Sequence, residues 1–195
     1  VKPVSNPVRE FSCQLDDLTV TEALGEALGA QLKAGDLVIL TGALGAGKTT
    51  LTQSLGVGLN VREGIISPTF VLARQHPALG DGPGLIHVDA YRLKGHDDVD
   101  TLDLESTLAD SVTVVEWGLG KVEHLTDSRL EIQLDREALA APSANPWEES
   151  EEELDEPRLF SLKGIGPRWD EDTFAQLKDT LLSAVTAQHT EEKHA

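Results

Sequence analysis

From Asp36 to Thr50 the chain reads DLVILTGALGAGKTT, and no other stretch narrows its fold so far. Leu37 to Leu40 is continuously apolar, as expected of a strand buried on both faces of a parallel sheet. Gly42, Gly47, Lys48 and Thr49 then satisfy the G-x-x-x-x-G-K-[ST] spacing of a phosphate-binding loop, and KTTLTQSLGVGL follows with helical spacing. The loop needs this setting, because its anion is held partly by the amides and dipole at a helix N-terminus.

Each residue type has a physical reason to stand where it does. Gly42, Gly45 and Gly47 let the backbone curl around an anion without side-chain clash, so that successive N–H groups point at a β-phosphate. Lys48 reaches the β/γ oxygens as a compact charge, and the Thr49 hydroxyl is placed to ligate Mg²⁺. Thr50 opens the first helical turn. A nucleotidase also needs carboxylates near the metal, and open α/β sheets keep their ligands at the C-terminal ends of strands. Asp89 ends LIHVD and Glu116 ends SVTVVE, so these two acids are the candidates. A Walker B sequence commonly places Glu after Asp, but Ala90 stands there, leaving Glu116 to supply the second carboxylate from a neighbouring strand. Taken singly, either acid also suits an N-cap or a solvated strand end. Ser67 or Thr69, in ISPTF, is placed to sense a γ-phosphate or hold the metal's water, the alternative being a Pro-containing turn into a strand.

The remaining periodicities agree with an α/β architecture. VREFSCQL suits a strand, and LTVTEALGEALGAQL a helix capped by Asp16, Asp17 or Thr19. PTFVLARQ, LIHVDAY and SVTVVEW read as strands, with a polar helix over HDDVDTLDLESTLAD. SRLEIQL and RLFSLKG alternate apolar with polar residues, as an antiparallel pair at a sheet edge would. DEDTFAQLKDTLLSAVTAQ closes as an amphipathic helix capped by Asp170 or Asp172. The expectation is a three-layer P-loop sandwich with a mostly parallel central sheet and an antiparallel edge, forming a single domain over residues 1–195.

Composition limits what such a domain acts on. With 16 Lys and Arg against 34 Asp and Glu, the net charge is -18, which argues against broad direct contact with nucleic acid. Glu137 to Glu156 alone carries eight acids and no Lys or Arg, with Pro and Ser among them, and is expected to be a disordered insertion. A flexible tail is expected from about residue 188. No run approaches the roughly 18 apolar residues of a membrane span, and the first residues lack a secretory apolar stretch, so a cytoplasmic location is expected. The single cysteine, Cys13, reads as a small buried hydrophobe in a strand. The six histidines show no close ligand spacing beyond His189 and His194, so no zinc site is expected.

Among phosphate-loop proteins, a GTPase needs N-K-x-D, and none of Asn6, Asn60 and Asn145 precedes Lys. DGPG at Asp81 follows a Pro/Gly-rich loop instead of a buried strand and is set aside. A small-molecule kinase usually brings an Arg-rich lid, whereas eight Arg are scattered here, with Arg92 the best donor near the site. A kinase for a nucleoside or sugar, with Asp89 as base, and a nucleotide-sensing module without turnover stay open as alternatives.

GALGAGKTT, SPTF, HVDAYRL and VVEWG, in this order and spacing, resemble the TsaE (YjeE) family, P-loop ATPases of bacterial tRNA threonylcarbamoyladenosine synthesis. The likeness runs from about Thr19 to Leu134 and resumes at the strand from Arg158. It implies an ATP-binding α/β fold and a role in the N6-threonylcarbamoyl modification of adenosine 37 in tRNA. It also implies binding to a threonylcarbamoyl transferase and its inactive paralogue, a TsaD–TsaB type heterodimer, whose state ATP hydrolysis would reset between turnovers, with ADP as product and no strong direct tRNA binding. Carried over by motif, Gly45, Ala46, Gly47, Lys48, Thr49 and Thr50 hold the phosphates. Thr49 and Glu116 lie at Mg²⁺, Asp89 is the Walker B-like acid, Trp117 belongs to an EW motif needed for activity, and Ser67 and Thr69 form the switch-like segment. Leu18, Thr21 and Arg158 are the resemblance's candidates for the adenine pocket. Ala43 departs from the family's frequent Asp, a position that contributes mainly backbone.

Overall fold

A computed structural model describes residues 8–68, 72–136 and 157–191, the last three by backbone alone. The acidic segment 137–156 and Thr69 lie outside the described residues. Chain order is β1 (Val8–Leu15), α1 (Leu18–Gln31), β2 (Leu37–Gly42), α2 (Lys48–Gly58), β3 (Ala73–His76), β4 (Gly84–Asp89), α3 (His96–Asp100), α4 (Glu105–Leu108), β5 (Ser111–Glu116), β6 (Arg129–Asp135), β7 (Arg158–Ile165) and α5 (Glu171–Glu191). The seven strands form one mixed sheet in the order β1-β7-β6-β2-β5-β4-β3.

The four central strands, β6, β2, β5 and β4, are parallel. Antiparallel pairings flank them on both sides, β6 with β7 and β7 with β1 at one end and β3 with β4 at the other. An antiparallel edge is present at the β1 end, as expected, and a second antiparallel pairing flanks the parallel strands at β3. β6 does pair antiparallel with β7, but it lies inside the sheet against β2, and β1 makes the edge. Alternation of apolar and polar residues reports one buried face and cannot say how many neighbours a strand has.

Period two divides β2 between two cores. Val38 and Leu40 join the larger core with Leu24, Leu28, Leu51, Leu55, Phe160, Trp169, Phe174 and Leu181, which lies under α1, α2 and α5. Leu37 and Ile39 join the smaller one with Ile86, Val88, Val99, Leu104, Leu108 and Val115, covered by the two short helices and their loops. The expected single polar helix is broken into α3 and α4, with Asp103 between them at φ 50°. Asp tolerates that left-handed conformation because its short side chain can hydrogen-bond locally. Within PTFVLARQ a strand begins at Ala73 and runs on to His76, residues 69–71 lying outside the described residues, and LIHVDAY stops as a strand at Asp89.

Asp17 is the N-cap of α1, its carboxylate accepting from Val20 N at 2.8 Å, and Asp170 caps α5 through Thr173 N at 2.8 Å. α5 continues to Glu191, past the expected start of a flexible tail. Helices α1 and α2 touch backbone to backbone, because a Cβ on Gly29 would overlap the Leu55 carbonyl and one on Gly58 the Glu26 carbonyl. This close approach brings the start of α1 toward the loop that opens α2. Cys13 is half-buried on β1 against the larger core, and burial pushes its thiol up to about 11.

At the other end of β2, Asp36 is buried and paired with Arg168, Nε to Oδ1 at 3.0 Å and Nη2 to Oδ2 at 3.2 Å. The same carboxylate accepts from Lys33 N at 2.8 Å. This fork ties the turn before α5 to the start of the strand that carries the loop. Removing the cation leaves a buried acid short of partners, softened because Arg168 itself is partly exposed. Arg168→Ala is expected to lower stability in urea unfolding by about 2 kcal/mol, and Arg168→Lys to recover only part of it, since an ammonium cannot form the fork.

Candidate functional site

The loop leaves β2 at Gly42 and enters α2 at Lys48. Gly45 sits at φ 76° and Gly47, the N-cap of α2, at φ 97°. Both are left-handed conformations that a side chain would strain. A Cβ on Gly47 would also meet Arg158 Nε at 3.3 Å. The loop is thus a concave run of backbone closed on one side by a buried guanidinium.

Lys48 folds back over the loop. Its Nζ donates to Gly42 O and Ala43 O, both at 2.9 Å, and lies 4.4 Å from the centre of the Trp117 ring. Burial pulls the ammonium below its ordinary value, a shift that Glu116 and Asp89 oppose without reversing. Trp117 is held by Tyr91, edge to face at 5.4 Å between ring centres, and by its own N–H, which donates to Leu40 O at 3.1 Å. It adopts φ 60°, an uncommon conformation for a bulky residue and one that clusters at functional sites.

The two acids arrive by register. Leu40 is level with Glu116 on β5, and Glu116 with Asp89 on β4, so both carboxylates stand at the C-terminal edge of the sheet on the α2 side. Both are buried. Glu116 Oε1 lies 3.4 Å from Thr49 Oγ1 and 2.8 Å from His87 Nε2. Asp89 Oδ1 accepts from Tyr91 N at 2.9 Å.

These groups line one cavity of about 710 Å³, bounded by the loop and α2 start, Ser67, Asp89, Tyr91, Glu116 and Trp117, and by Leu18, Thr21 and Arg158. The volume falls in the range of about 300–1,000 Å³ usual for small-molecule sites. Residues from both ends of the sequence therefore meet there, with the charged groups toward the loop and Leu18 and Thr21 contributed by α1. Thr21 Oγ1 is tied to Asp17 O at 2.8 Å. Two residues assigned to the loop do not line the cavity. Gly42 contributes its carbonyl to Lys48, and Ala46 is buried in the larger core with its N–H on Ala43 O. Arg92 is exposed and stands outside the lining.

The sequence reading did not single out His87, Tyr91 or Leu44. For His87 a signal existed: period two along LIHVD puts it on the same face as Asp89. Among the described residues no three His, Cys, Asp or Glu side chains cluster to hold a metal. A cation here would rest on Thr49 and Glu116 together with oxygens of a bound ligand.

A family model described as "Threonylcarbamoyl adenosine biosynthesis protein TsaE" matches residues 15–142. The chain belongs to the TsaE family. It is 54% identical over 147 residues to the "tRNA threonylcarbamoyladenosine biosynthesis protein TsaE" of Streptomyces coelicolor, covering 75% of this chain and 91% of that one. The protein of the same description from Mycobacterium leprae is 50% identical over 123 residues, covering 60% of this chain and 76% of that one. Among solved structures, YdiB of Bacillus subtilis superposes with a TM-score of 0.64 at 27% identity, over 90% of this chain and 98% of that one. The four motifs that carry the family resemblance all fall within residues 15–142, whereas Arg158 lies beyond that match. No helix among the described residues is long and apolar enough to cross a membrane.

Behind the acids, at the β3 edge, lies a second polar group. Arg74 is level with His87, and buried His76 stands two residues further along β3. Burial, then His87 and Arg74, lower the His76 imidazole below its ordinary value near 6.5. Below pH 6.5 the unfolded chain takes up a proton at His76 that the folded chain resists, so this residue removes stability as pH falls. His76→Leu is expected to lose less stability than the wild type between pH 7 and pH 5 in denaturant titrations at matched ionic strength.

Proposed function

We propose that this protein is a Mg²⁺-dependent ATPase serving threonylcarbamoyl modification of adenosine 37 in tRNA, whose hydrolysis resets the transferase complex between turnovers. The observation that carries the reading is the joining, in one cavity, of a phosphate loop with Lys48, two buried acids on adjacent strand ends, and an apolar and guanidinium-flanked end formed by Leu18, Thr21 and Arg158. Family membership supports the pathway, since the relatives' names place them in threonylcarbamoyladenosine biosynthesis.

The chain's own residues divide the work. Amides of the Gly45 to Thr50 turn cradle the phosphates at the start of α2, where the helix dipole favours negative charge. Lys48 exchanges two neutral carbonyl partners for phosphate oxygens, which form stronger charge-assisted bonds. Thr49 and Glu116 stand close enough to share one cation. Magnesium, when bound, neutralises charge on the β- and γ-oxygens. Asp89, with one oxygen held by Tyr91 N, is oriented to receive a hydrogen bond from a water beside the phosphates. Trp117 and Tyr91 wall the cavity and keep bulk water from Lys48. Arg158 has a planar guanidinium suited to stacking on adenine. Ser67 lines the same space from the switch-like segment, the position from which a γ-phosphate contact would be felt.

The partner is a heterodimer of the transferase and its inactive paralogue, of TsaD–TsaB type. A net charge of -18 suits a protein that acts on a tRNA-modifying enzyme in the cytoplasm and not on tRNA itself. The direct experiment measures ATP turnover by the pure chain, by the transferase pair and by both together. Turnover should rise when the two are combined, Lys48→Ala should bind ATP poorly, and Glu116→Ala should lose roughly 100-fold or more in rate. Turnover by the chain alone that the pair leaves unchanged would remove the partner-dependent reading. A phosphorylated nucleoside or sugar formed by the pure chain would replace it with a kinase.

A further inference from the structure

Behind Glu116 stands a histidine to which neither the phosphate loop nor the proposed reaction assigns a task. His87 is on β4 one alternation before Asp89, level with Arg74 on β3 and Val114 on β5. Its side chain is 0% exposed. Nε2 lies 2.8 Å from Glu116 Oε1, while Nδ1 is buried and has no partner among the described residues. A carboxylate oxygen facing a ring nitrogen at this distance accepts, so Nε2–H is the donor.

Both bonds to Glu116 converge on one oxygen. Oε1 takes His87 Nε2 and, at 3.4 Å, Thr49 Oγ1, and Oε2 takes no hydrogen bond among the described residues. Glu116 also lines the cavity. A glutamate at the end of a strand has several rotamers available to it, and the Thr49 contact is too long to select one. The His87 bond is short, and its donor ring is fixed by burial in the sheet.

We propose that His87 is a positioning residue for Glu116: its Nε2–H pins Oε1 from behind and leaves Oε2 turned to the cavity, where a cation shared with Thr49 would lie. This rests on the reading of Glu116 as the metal-side acid. Groups that orient a ligating carboxylate from behind commonly change metal affinity or activity by about 10–100-fold when removed.

The test separates positioning from packing. ATP affinity of the full chain is measured by calorimetry in EDTA and again with Mg²⁺, for the wild type, His87→Leu, His87→Gln and Glu116→Ala. His87→Leu keeps bulk without a donor, and His87→Gln keeps an N–H that can reach Oε1. The expected result is unchanged affinity in EDTA for both His87 variants, loss of about 10-fold or more of the Mg²⁺-dependent gain in His87→Leu, and recovery of most of that gain in His87→Gln. The inference is overturned if His87→Leu keeps the full gain, loses affinity equally with and without Mg²⁺, or is matched by an equally impaired His87→Gln. If Glu116→Ala also keeps the gain, the metal-side reading of Glu116 falls and this inference with it; if only His87→Leu keeps it, the inference falls alone. A second measurement needs no folded variant of His87. Long-range proton–nitrogen spectra of the nucleotide-free wild type should show the His87 ring as the Nε2–H form, and an Nδ1–H ring there overturns the proposal.

Discussion

Glu116 can meet Thr49 and His87 because β5 runs parallel between β2 and β4 with Leu40, Glu116 and Asp89 level across the three strands. A slip of one residue in either pairing would turn Glu116 to the opposite face, away from α2 and into the smaller core. The alternation that forbids the slip is in the strands themselves. Val112 and Val114 face the larger core and Val115 the smaller, so a shifted β5 would bury its carboxylate among Ile39 and Val88. An unpaired buried acid costs enough to make the observed register the stable one.

The rest of the site hangs on that alignment. β2 must be held at both ends for its last residue to deliver the loop, and Asp36 with Arg168 secures the end remote from the ligand cavity. The contact of α1 with α2 through Gly29 and Gly58 sets where Leu18 and Thr21 stand relative to Lys48. The antiparallel β6 and β7 return the chain so that Arg158, more than a hundred residues beyond the loop, lies against Gly47. A cavity with Lys48 and two acids at one end and Leu18 and Thr21 at the other is therefore a product of three separate packings, each of which can be perturbed without touching the loop.

Electrostatics at the cavity follows from the same geometry. Lys48 is drawn out of water onto carbonyls and an aromatic face, and two acids stand near enough to offset part of the resulting fall in its pKa. Such a cation is ready to change partners, since its present acceptors are neutral. Trp117, strained at φ 60°, is the price of holding an aromatic wall at the point where β5 ends.

Much of this was legible along the chain, because some features depend only on neighbouring residues. The loop glycines, Lys48 and Thr49 act through backbone conformation and a single helix start, and the acids at Asp89 and Glu116 were marked by the ends of apolar runs. Asp17 and Asp170, the caps observed, were each among the two or three candidates readable for the same reason. Other features depend on which strands become neighbours, which local pattern does not encode. Hence the β6–β7 pair was read at a sheet edge though β1 lies outside it, and the helix between β4 and β5 was read whole though it breaks at Asp103. His87 carried the right parity but no reason to be chosen until β4 and β5 were placed side by side and its Nε2 was found on Glu116. The sequence by itself determined the glycine- and lysine-bearing loop between β2 and α2, because that loop is built within a few consecutive residues. Only the tertiary structure decided which distant residues complete it, because strand order and register are settled by long-range burial.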